Sequence, residues 1–322
     1  MQSFTATFEQ MIFLFSLIII GFIIRKANAV PAGTAGILAK LENNVFIPAL
    51  VLDTFINKFT LDTMKSAWKI LLFSLCVEII VIPITILLSK TLSKDKYTQK
   101  IYTYGLCFSN FGFMGNAVVQ ALFPDHIASY IIFTLVLWSL IYLYGMPYLL
   151  IPSTEKKGAL NTLKNFLNPM IISVIIGMVL GLTLSSLNLK LPGSITSVIS
   201  TSKDCMSPIA MILTGITIAE MDIKKTLRHV GIYLTTFYRL LVYPLIGLGV
   251  FFVFKLFNIQ IGEVYVICTI CTLAMPLGLN TIVIPSAYGK DTSIPAGMAL
   301  VSHLLSVITI PIIFLLLDKL VA

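Results

Sequence analysis

Two stretches of sequence decide the fold. Residues 107–116 read CFSNFGFMGN, and residues 273–280 read LAMPLGLN. Both lie within long apolar segments, yet both contain residues that weaken a helix: glycine adds backbone entropy, and proline removes an N–H donor and clashes with the previous turn. In lipid, an unwound stretch is tolerated only where protein covers it or where it lines a cavity. The two stretches therefore predict two broken helices that meet near the centre of a membrane protein.

The composition agrees with a membrane protein. Of 322 residues, 57% are hydrophobic and 11% are charged, whereas soluble domains carry about 25% charge. Soluble enzymes, disordered regulators and disulfide scaffolds are therefore excluded. The net charge of +8 is spread through short loops, which argues against a nucleic-acid partner. The chain has no nucleotide-binding loop or other enzyme motif, and the C-x-x-C at 268–271 has no second pair that would complete a metal site.

Ten apolar segments are each long enough to cross a bilayer, which takes about 20 residues. The first is a retained helix and not a signal peptide, because its positive charges, Arg25 and Lys26, follow the apolar run. Lys and Arg are more frequent in the loops after odd-numbered segments, which places both termini outside the cell membrane. The predicted spans are 8–26, 35–57, 67–90, 100–122, 127–151, 166–187, 194–219, 228–256, 263–287 and 293–317.

An ordered series of glycines and prolines recurs at an offset that drifts only from 160 to 164 residues. The chain is therefore interpreted as a duplication, with a five-helix repeat at 1–157 and an inverted five-helix repeat at 158–322. The fold class is an all-α membrane protein in which broken helices 4 and 9 cross. Inverted repeats are typical of secondary transporters, whose sites lie at such breaks. The matched pairs are Gly21 with Gly181, Pro31 with Pro192, Pro48 with Pro208, Pro83 with Pro244, Asn116 with Asn280, and Pro147 with Pro311.

The breaks have the chemistry of an anion site. The N-terminus of a half-helix presents free N–H groups and a partial positive charge, and asparagine adds neutral donors and acceptors. The alternative is that glycine and proline only allow close packing. The predicted substrate-binding residues are Asn110, Gly112, Gly115, Asn116, Pro276 and Asn280.

Ionisable residues inside spans are candidates for coupling. Glu78 and Arg239 occupy equivalent places in the two halves. They could pair with each other, Arg239 could attract the substrate while Glu78 exchanges a proton, or Arg239 could extend to the interface. His303 could carry a proton or could simply be hydrogen-bonded within the bundle.

A second polar set precedes two repeat-related prolines. Here Lys203 could pair with Asp204, and Asp204 or Glu42 could bind a proton or cation. The alternative is a polar seam beside the crossover. The set comprises Glu42, Asn43, Asn44, Lys203 and Asp204.

The segment Asn110 to Gly115 resembles the N-x-G-F-x-G motif of the auxin efflux carrier family. Residues 274–280, 287–291 and 305–311 are similar to its second crossover and last helix. The resemblance implies a ten-helix fold shared in outline with bile acid sodium symporters. Helices 1, 2, 6 and 7 would form a scaffold, and helices 3–5 and 8–10 a transport domain. Ala117 stands where family members often have proline, so the first break would depend on its glycines.

The resemblance also implies a function. Family members carry small carboxylates: auxin in plants, and acids such as malonate or malate in bacteria, whose members the short central loop resembles. Asn110 matches the asparagine that contacts the substrate carboxylate, and Asn280 would be its counterpart.

The expected protein is therefore a secondary transporter of small organic anions, and not an enzyme. No cofactor is expected, a proton is favoured over sodium as the coupling ion, and the resemblance is compatible with a homodimer. A sodium-coupled, bile-acid-like symporter and a membrane sensor that binds without transport stay as alternatives.

Overall fold

The computed structural model describes residues 2–151, 169–220, 227–257, 262–288 and 290–321. The predicted boundary between the two halves, at 157–158, lies outside these residues. Within them the chain is helical, and the only bridge between extended residues is an isolated one. The α-helices are α1 (Gln2–Lys26), α2 (Thr34–Leu41), α3 (Ile47–Lys58), α4 (Leu61–Leu92), α5 (Lys96–Cys107), α6 (Asn116–Leu122), α7 (Ile127–Leu140), α8 (Pro169–Leu187), α9 (Gly193–Ala219), α10 (Val230–Phe237), α11 (Tyr243–Leu256), α12 (Glu263–Leu273), α13 (Asn280–Ala287) and α14 (Ser293–Val321).

Four wider π-helical segments join or extend these helices, at Glu42–Phe46, Phe111–Gly115, Ile141–Leu150 and Tyr238–Val242. Three of them precede or contain a proline: Pro48, Pro147 or Pro244. Proline has no N–H, and its ring clashes with the carbonyl four residues earlier. At these three prolines the helix widens and continues, whereas Pro83, Pro208 and Pro311 lie inside α4, α9 and α14 without a π segment.

Six helical stretches among the described residues are long and apolar enough to cross a membrane. They lie in α2–α3, α4, α7 with its π extension, α8, α10–α11 and α14. The predicted fourth and ninth spans are interrupted, with shorter apolar helices at Phe111–Leu122 and Glu263–Leu273. The predicted seventh span, α9, begins with a run of serine, threonine, lysine and aspartate. The chain is thus embedded in a membrane through several passes.

Helix α8 shows how the sequence sorts its faces. Ile172, Ile175 and Val179 are exposed, and their spacing of three and four places them on one side of the helix. Gly177 and Gly181 lie on the opposite face, against Phe55 of α3 and its backbone. The apolar exposed face suits lipid, and the glycine face suits close helix packing.

The helices pack in two groups. One consists of α1, α2, α3, α8 and α9, in which α1 lies against α9 and α3 against α8 and α9. The other consists of α4–α7 and α10–α14, in which α4 packs on α5 and α7, α10 on α14 and α11 on α12. The groups meet where α14 and α6 lie on α1 and where the π turn before α6 lies on α9. The two interrupted helices belong to the second group.

Candidate functional site: the crossover of two interrupted helices

Both interruptions are short and buried. Helix α5 ends at Cys107, Phe108 is extended (φ −116°, ψ 103°), and helical structure resumes at Phe111. Helix α12 ends at Leu273, and α13 begins at Asn280. In both segments the chain therefore passes from a helix C-terminus to a new helix N-terminus within a few residues.

The two interruptions contact each other directly. The N–H of Asn110 donates to the carbonyl of Pro276 at 2.7 Å, and Ser109 and Leu277 form an antiparallel bridge. The Ser109 hydroxyl donates to the carbonyl of Thr272 at 2.7 Å. Buried backbone groups outside a helix need such partners, because water does not reach them. Each break therefore supplies hydrogen-bond partners for the other.

Arg239 joins the C-terminal ends of both half-helices. Its Nη1 donates to the carbonyl of Leu106 at 2.8 Å, its Nη2 to Thr272 at 2.8 Å and its Nε to Met275 at 3.1 Å. The last carbonyls of a helix have no partner within the helix and carry partial negative charge. One buried guanidinium thus neutralises two helix ends, and Leu106 and Thr272 belong to different halves of the chain.

Two of the three alternatives for Arg239 and Glu78 are wrong. The Arg239 side chain is fully buried, so it does not extend to the interface. Among the described residues it forms no ion pair with Glu78, although the two charges interact. Both Glu78 oxygens are buried without a hydrogen-bond partner in the described part of the chain. The ion pair fails because backbone carbonyls occupy the guanidinium.

The opposite side of the crossover holds a small cavity of about 20 Å³. That volume is enough for about one water molecule. The N-terminal starts of the π turn before α6 and of α13 both reach it. Its walls carry amides, hydroxyls and aromatic rings and no charged side chain. The lining residues are Tyr104, Phe108, Ser109, Asn110, Phe111, Gly112, Phe113, Trp138, Ile141, Gly278, Leu279 and Asn280.

Two asparagines in this lining are held by side chains from other helices. The Asn110 amide nitrogen lies 3.0 Å from Nε2 of His303, whose Nδ1 lies 2.7 Å from the carbonyl of Ala299. A carbonyl only accepts, so Nδ1 donates and neutral Nε2 accepts from Asn110. His303 therefore orients Asn110. The Asn280 amide donates to the Tyr104 hydroxyl at 3.3 Å.

The other predicted binding residues divide into two sets. Gly112 lines the cavity beside Trp138. Asn116, Gly115 and Pro276 are not in its lining. The Asn116 amide donates to the carbonyl of Gly112 at 2.7 Å, within its own helix. Gly115 leaves room for other side chains, and Pro276 contributes its carbonyl to Asn110.

The second polar set is separate from the crossover. Glu42 lies in the first π segment, buried, and its carboxylate has no hydrogen-bond partner among the described residues. Asn43 and Asn44 donate to carbonyls of the preceding turn. The predicted ion pair of Lys203 with Asp204 spans 3.9 Å, whereas the Lys203 ammonium lies 3.0 Å from Asp53 of α3.

Several residues of these sites were not predicted. Tyr104 and Trp138 line the cavity, the Ser302 hydroxyl accepts from the N–H of Leu277 at 3.1 Å, and Asp53 pairs with Lys203. Tyr104 lies six residues before Asn110, a spacing that the interruption makes unreadable as helical periodicity. Asp53 follows Pro48 by five residues. Its charged side chain near the end of an apolar span is the signal that could have identified it.

The described residues contain no group of three or more His, Cys, Asp or Glu side chains that could hold a metal ion.

Comparison with known proteins gives a clear match. A family model described as membrane transport protein matches residues 6–314, nearly the whole chain. No curated protein matches the sequence.

Proposed function

We propose, from the premise that this chain belongs to the membrane transport protein family, the auxin efflux carrier family, that it is a secondary transporter of small organic anions. The family is one of transporters and not of enzymes. The observation that carries the proposal is the crossover cavity, where two helix N-termini and two asparagines converge without a charged side chain. A carboxylate is the ligand that this arrangement favours.

The donor count supports a carboxylate. The first turn of a helix offers N–H groups without an α-helical partner, and a first turn from each interrupted helix borders the cavity. In α13 the N–H groups of Thr281 and Ile282 already donate to the carbonyls of Gly278 and Leu279. Asn110 uses one amide hydrogen on His303 and keeps the other. Asn280 likewise keeps one after its bond to Tyr104. Neutral donors and helix dipoles hold an anion and release it more readily than a fixed cation would.

The proposed architecture is ten spans in two inverted repeats. Support comes from the matching positions of the two interruptions and from two helix crossings. Gly21 of α1 lies against the backbone of α9, and its repeat partner Gly181 of α8 lies against the backbone of α3. The proposed scaffold is the first helix group, which contains these crossings, and the proposed transport domain is the second.

The proposed cycle is alternating access. A cavity of about 20 Å³ cannot hold even a three-carbon acid, so binding requires the crossover to separate from its surroundings. In the proposed cycle the second helix group moves against the first, and the crossover travels with the bound anion.

The proposed coupling ion is a proton. Glu78 is a buried carboxylate without a hydrogen bond in the described chain, and it interacts with the charge of Arg239, which holds both half-helices. A proton bound to Glu78 would remove its negative charge and thereby change the electrostatic potential at the crossover. An uptake rate that does not change with an imposed pH gradient but increases with a sodium gradient would instead support the bile-acid-like symporter.

The test uses purified protein in liposomes with a panel of mono- and dicarboxylates, recording radiolabel accumulation. We expect saturable uptake of at least one acid, with its KM raised about tenfold or more by Asn110→Ala and by Asn280→Ala, since each removes a hydrogen bond to a charged ligand. Asn116→Ala is the matched control, because its amide bonds only its own helix. Unchanged KM in both test variants would remove them from the site. Binding without accumulation would indicate a sensor.

A further inference from the structure

A second and much larger cavity lies away from the crossover. It measures about 550 Å³, is partly open and is lined by the ends of α3, α8 and α9. Helix α3 ends at Lys58, α8 ends at Leu187, and α9 begins at Gly193, so all three helices reach one membrane surface there. Polar side chains from each helix and from the connecting turn line it: Asp53, Asn57, Ser185, Asn188, Lys190 and Thr196.

The charged side chains around the cavity differ in whether they are paired. The Asp53 carboxylate lies 3.0 Å from the ammonium of Lys203, and the Asn57 amide also donates to it at 3.2 Å. Lys190 is the other charged lining residue, and it has no ion pair with any described residue. A cation without a partner therefore remains beside several neutral hydroxyls and amides.

The surroundings of the cavity are apolar and exposed. Leu187 and Leu189 are 61% and 58% exposed, and Ile195 and Val198 of α9 are 47% and 67% exposed. A lysine beside such residues at the end of spanning helices lies where lipid headgroups meet acyl chains. The ligand that fits is amphipathic, with an anionic polar end.

We propose that this cavity binds the headgroup of an anionic phospholipid. The phosphate lies against Lys190, with the Ser185 hydroxyl and the Asn188 amide as further donors, and the acyl chains lie along the exposed leucine, isoleucine and valine side chains. A soluble carboxylate would leave these apolar residues without a partner.

The experiment measures the preference of the full-length protein for spin-labelled phosphatidylglycerol over spin-labelled phosphatidylcholine in nanodiscs. We expect Lys190→Ala to lower the preference about tenfold or more, the effect of losing a charge-assisted hydrogen bond to the phosphate. Lys190→Arg should retain it. Lys69→Ala is the matched control, because Lys69 is an exposed lysine near the start of α4, which follows α3 directly, and it lies outside the cavity lining.

Location is tested with a phosphatidylglycerol whose headgroup carries a photoreactive label. Crosslinks to residues 184–199 in wild type, lost in Lys190→Ala, would support the site, and excess inorganic phosphate should not displace them. Equal effects of Lys190→Ala and Lys69→Ala, or crosslinks elsewhere, would overturn the proposal. The result does not depend on transport, so it is separable from the proposed function.

Discussion

At the scale of single residues, Arg239 holds the crossover together. A buried cation is costly unless its charge and its donors are satisfied. Here three carbonyls from two helix ends accept from it, and its guanidinium lies 5.0 Å from the centre of the Tyr243 ring. The Tyr243 hydroxyl in turn bonds Thr85 of α4. The residue therefore fixes the relative positions of α5 and α12.

We expect Arg239→Met to destabilise the protein by about 3 kcal/mol, because three buried hydrogen bonds are lost at about 1 kcal/mol each, and in the described chain only the Thr272 carbonyl keeps another donor, the Ser109 hydroxyl. Arg239→Lys should recover only part of this, since one ammonium cannot reproduce the fork of a guanidinium. The measurement is thermal unfolding in detergent, followed by tryptophan fluorescence. The control is Arg25→Met, which removes a surface pair with Glu220 worth about 1 kcal/mol or less. Equal losses in both variants would contradict the role.

Single residues also show which contacts could not be predicted from the sequence. The position of Arg239 within an apolar span marked it as unusual, but its partners are backbone carbonyls. Every residue has a carbonyl, so nothing in the sequence shows which ones lose their helical partners. Lys203 forms the predicted ion pair with its neighbour Asp204 at 3.9 Å and a shorter one with Asp53 at 3.0 Å. The shorter pair depends on how α9 lies against α3. By contrast, the positions of Asn110 and Asn280 could be predicted. Glycine and proline interrupt both apolar spans, a new half-helix begins after each interruption, and both asparagines lie at these starts and line the cavity.

At the scale of elements, the first helix group depends on close backbone approach. Helices α1 and α9 cross where Gly21 of α1 lies against the backbone of α9 and Gly215 of α9 lies against the backbone of α1. A Cβ at Gly215 would meet the carbonyl of Ile18 and, at 2.8 Å, the N–H nitrogen of Phe22. Backbone atoms cannot rotate away as side chains do, so the helices would have to separate. Glycine is required here by contact and not by backbone conformation.

We expect Gly215→Ala to destabilise the protein by about 1–3 kcal/mol, the usual result of forcing an extra group into a packed interface. Gly249→Ala is the matched control. Gly249 is also helical, in α11, and a Cβ there meets nothing within 4 Å, so alanine should stabilise by up to about 1 kcal/mol. Apparent unfolding temperatures of the two variants in one detergent give the comparison. A Gly215→Ala protein as stable as Gly249→Ala would mean that the crossing is not tight.

The elements themselves were largely predictable. Apolar runs longer than a bilayer is thick predict helices, and glycine and proline within them predicted both interruptions. The π segments at Glu42–Phe46 and Tyr238–Val242 were not predicted, because a proline in an apolar span can kink, end or widen a helix. The choice depends on which neighbours satisfy the carbonyl that the proline leaves without a donor, and that is a matter of three-dimensional packing.

At the scale of the whole molecule, Lys58 forms a polar contact between the two helix groups at the surface. The ammonium of Lys58, at the end of α3, donates to the carbonyl of Pro124 and lies 3.3 Å from the Asp125 carboxylate. Pro124 and Asp125 form the turn between α6 and α7, in the group that carries the crossover. If that group moves during transport, as proposed, this contact must break in each cycle.

We expect Lys58→Glu to shift the population away from this conformation by about fivefold at most, because an exposed ion pair contributes about 1 kcal/mol or less. Hydrogen–deuterium exchange of the peptide spanning Pro124 and Asp125 should become faster. The charge-swapped double variant, Lys58→Glu with Asp125→Lys, should restore most of the protection. It should not restore all of it, since a carboxylate at position 58 cannot donate to the Pro124 carbonyl.

The control for this prediction is Lys69→Glu, which makes the same charge change in α4, away from the turn. Its exchange pattern at Pro124 should match wild type. If Lys58→Glu and Lys69→Glu have the same effect, the change reflects surface charge and not the contact. If uptake rates also follow the order of exchange across the three variants, opening of this contact limits the cycle. If uptake is unchanged while exchange is faster, the contact stabilises the turn alone, and the movement of the two helix groups is limited elsewhere.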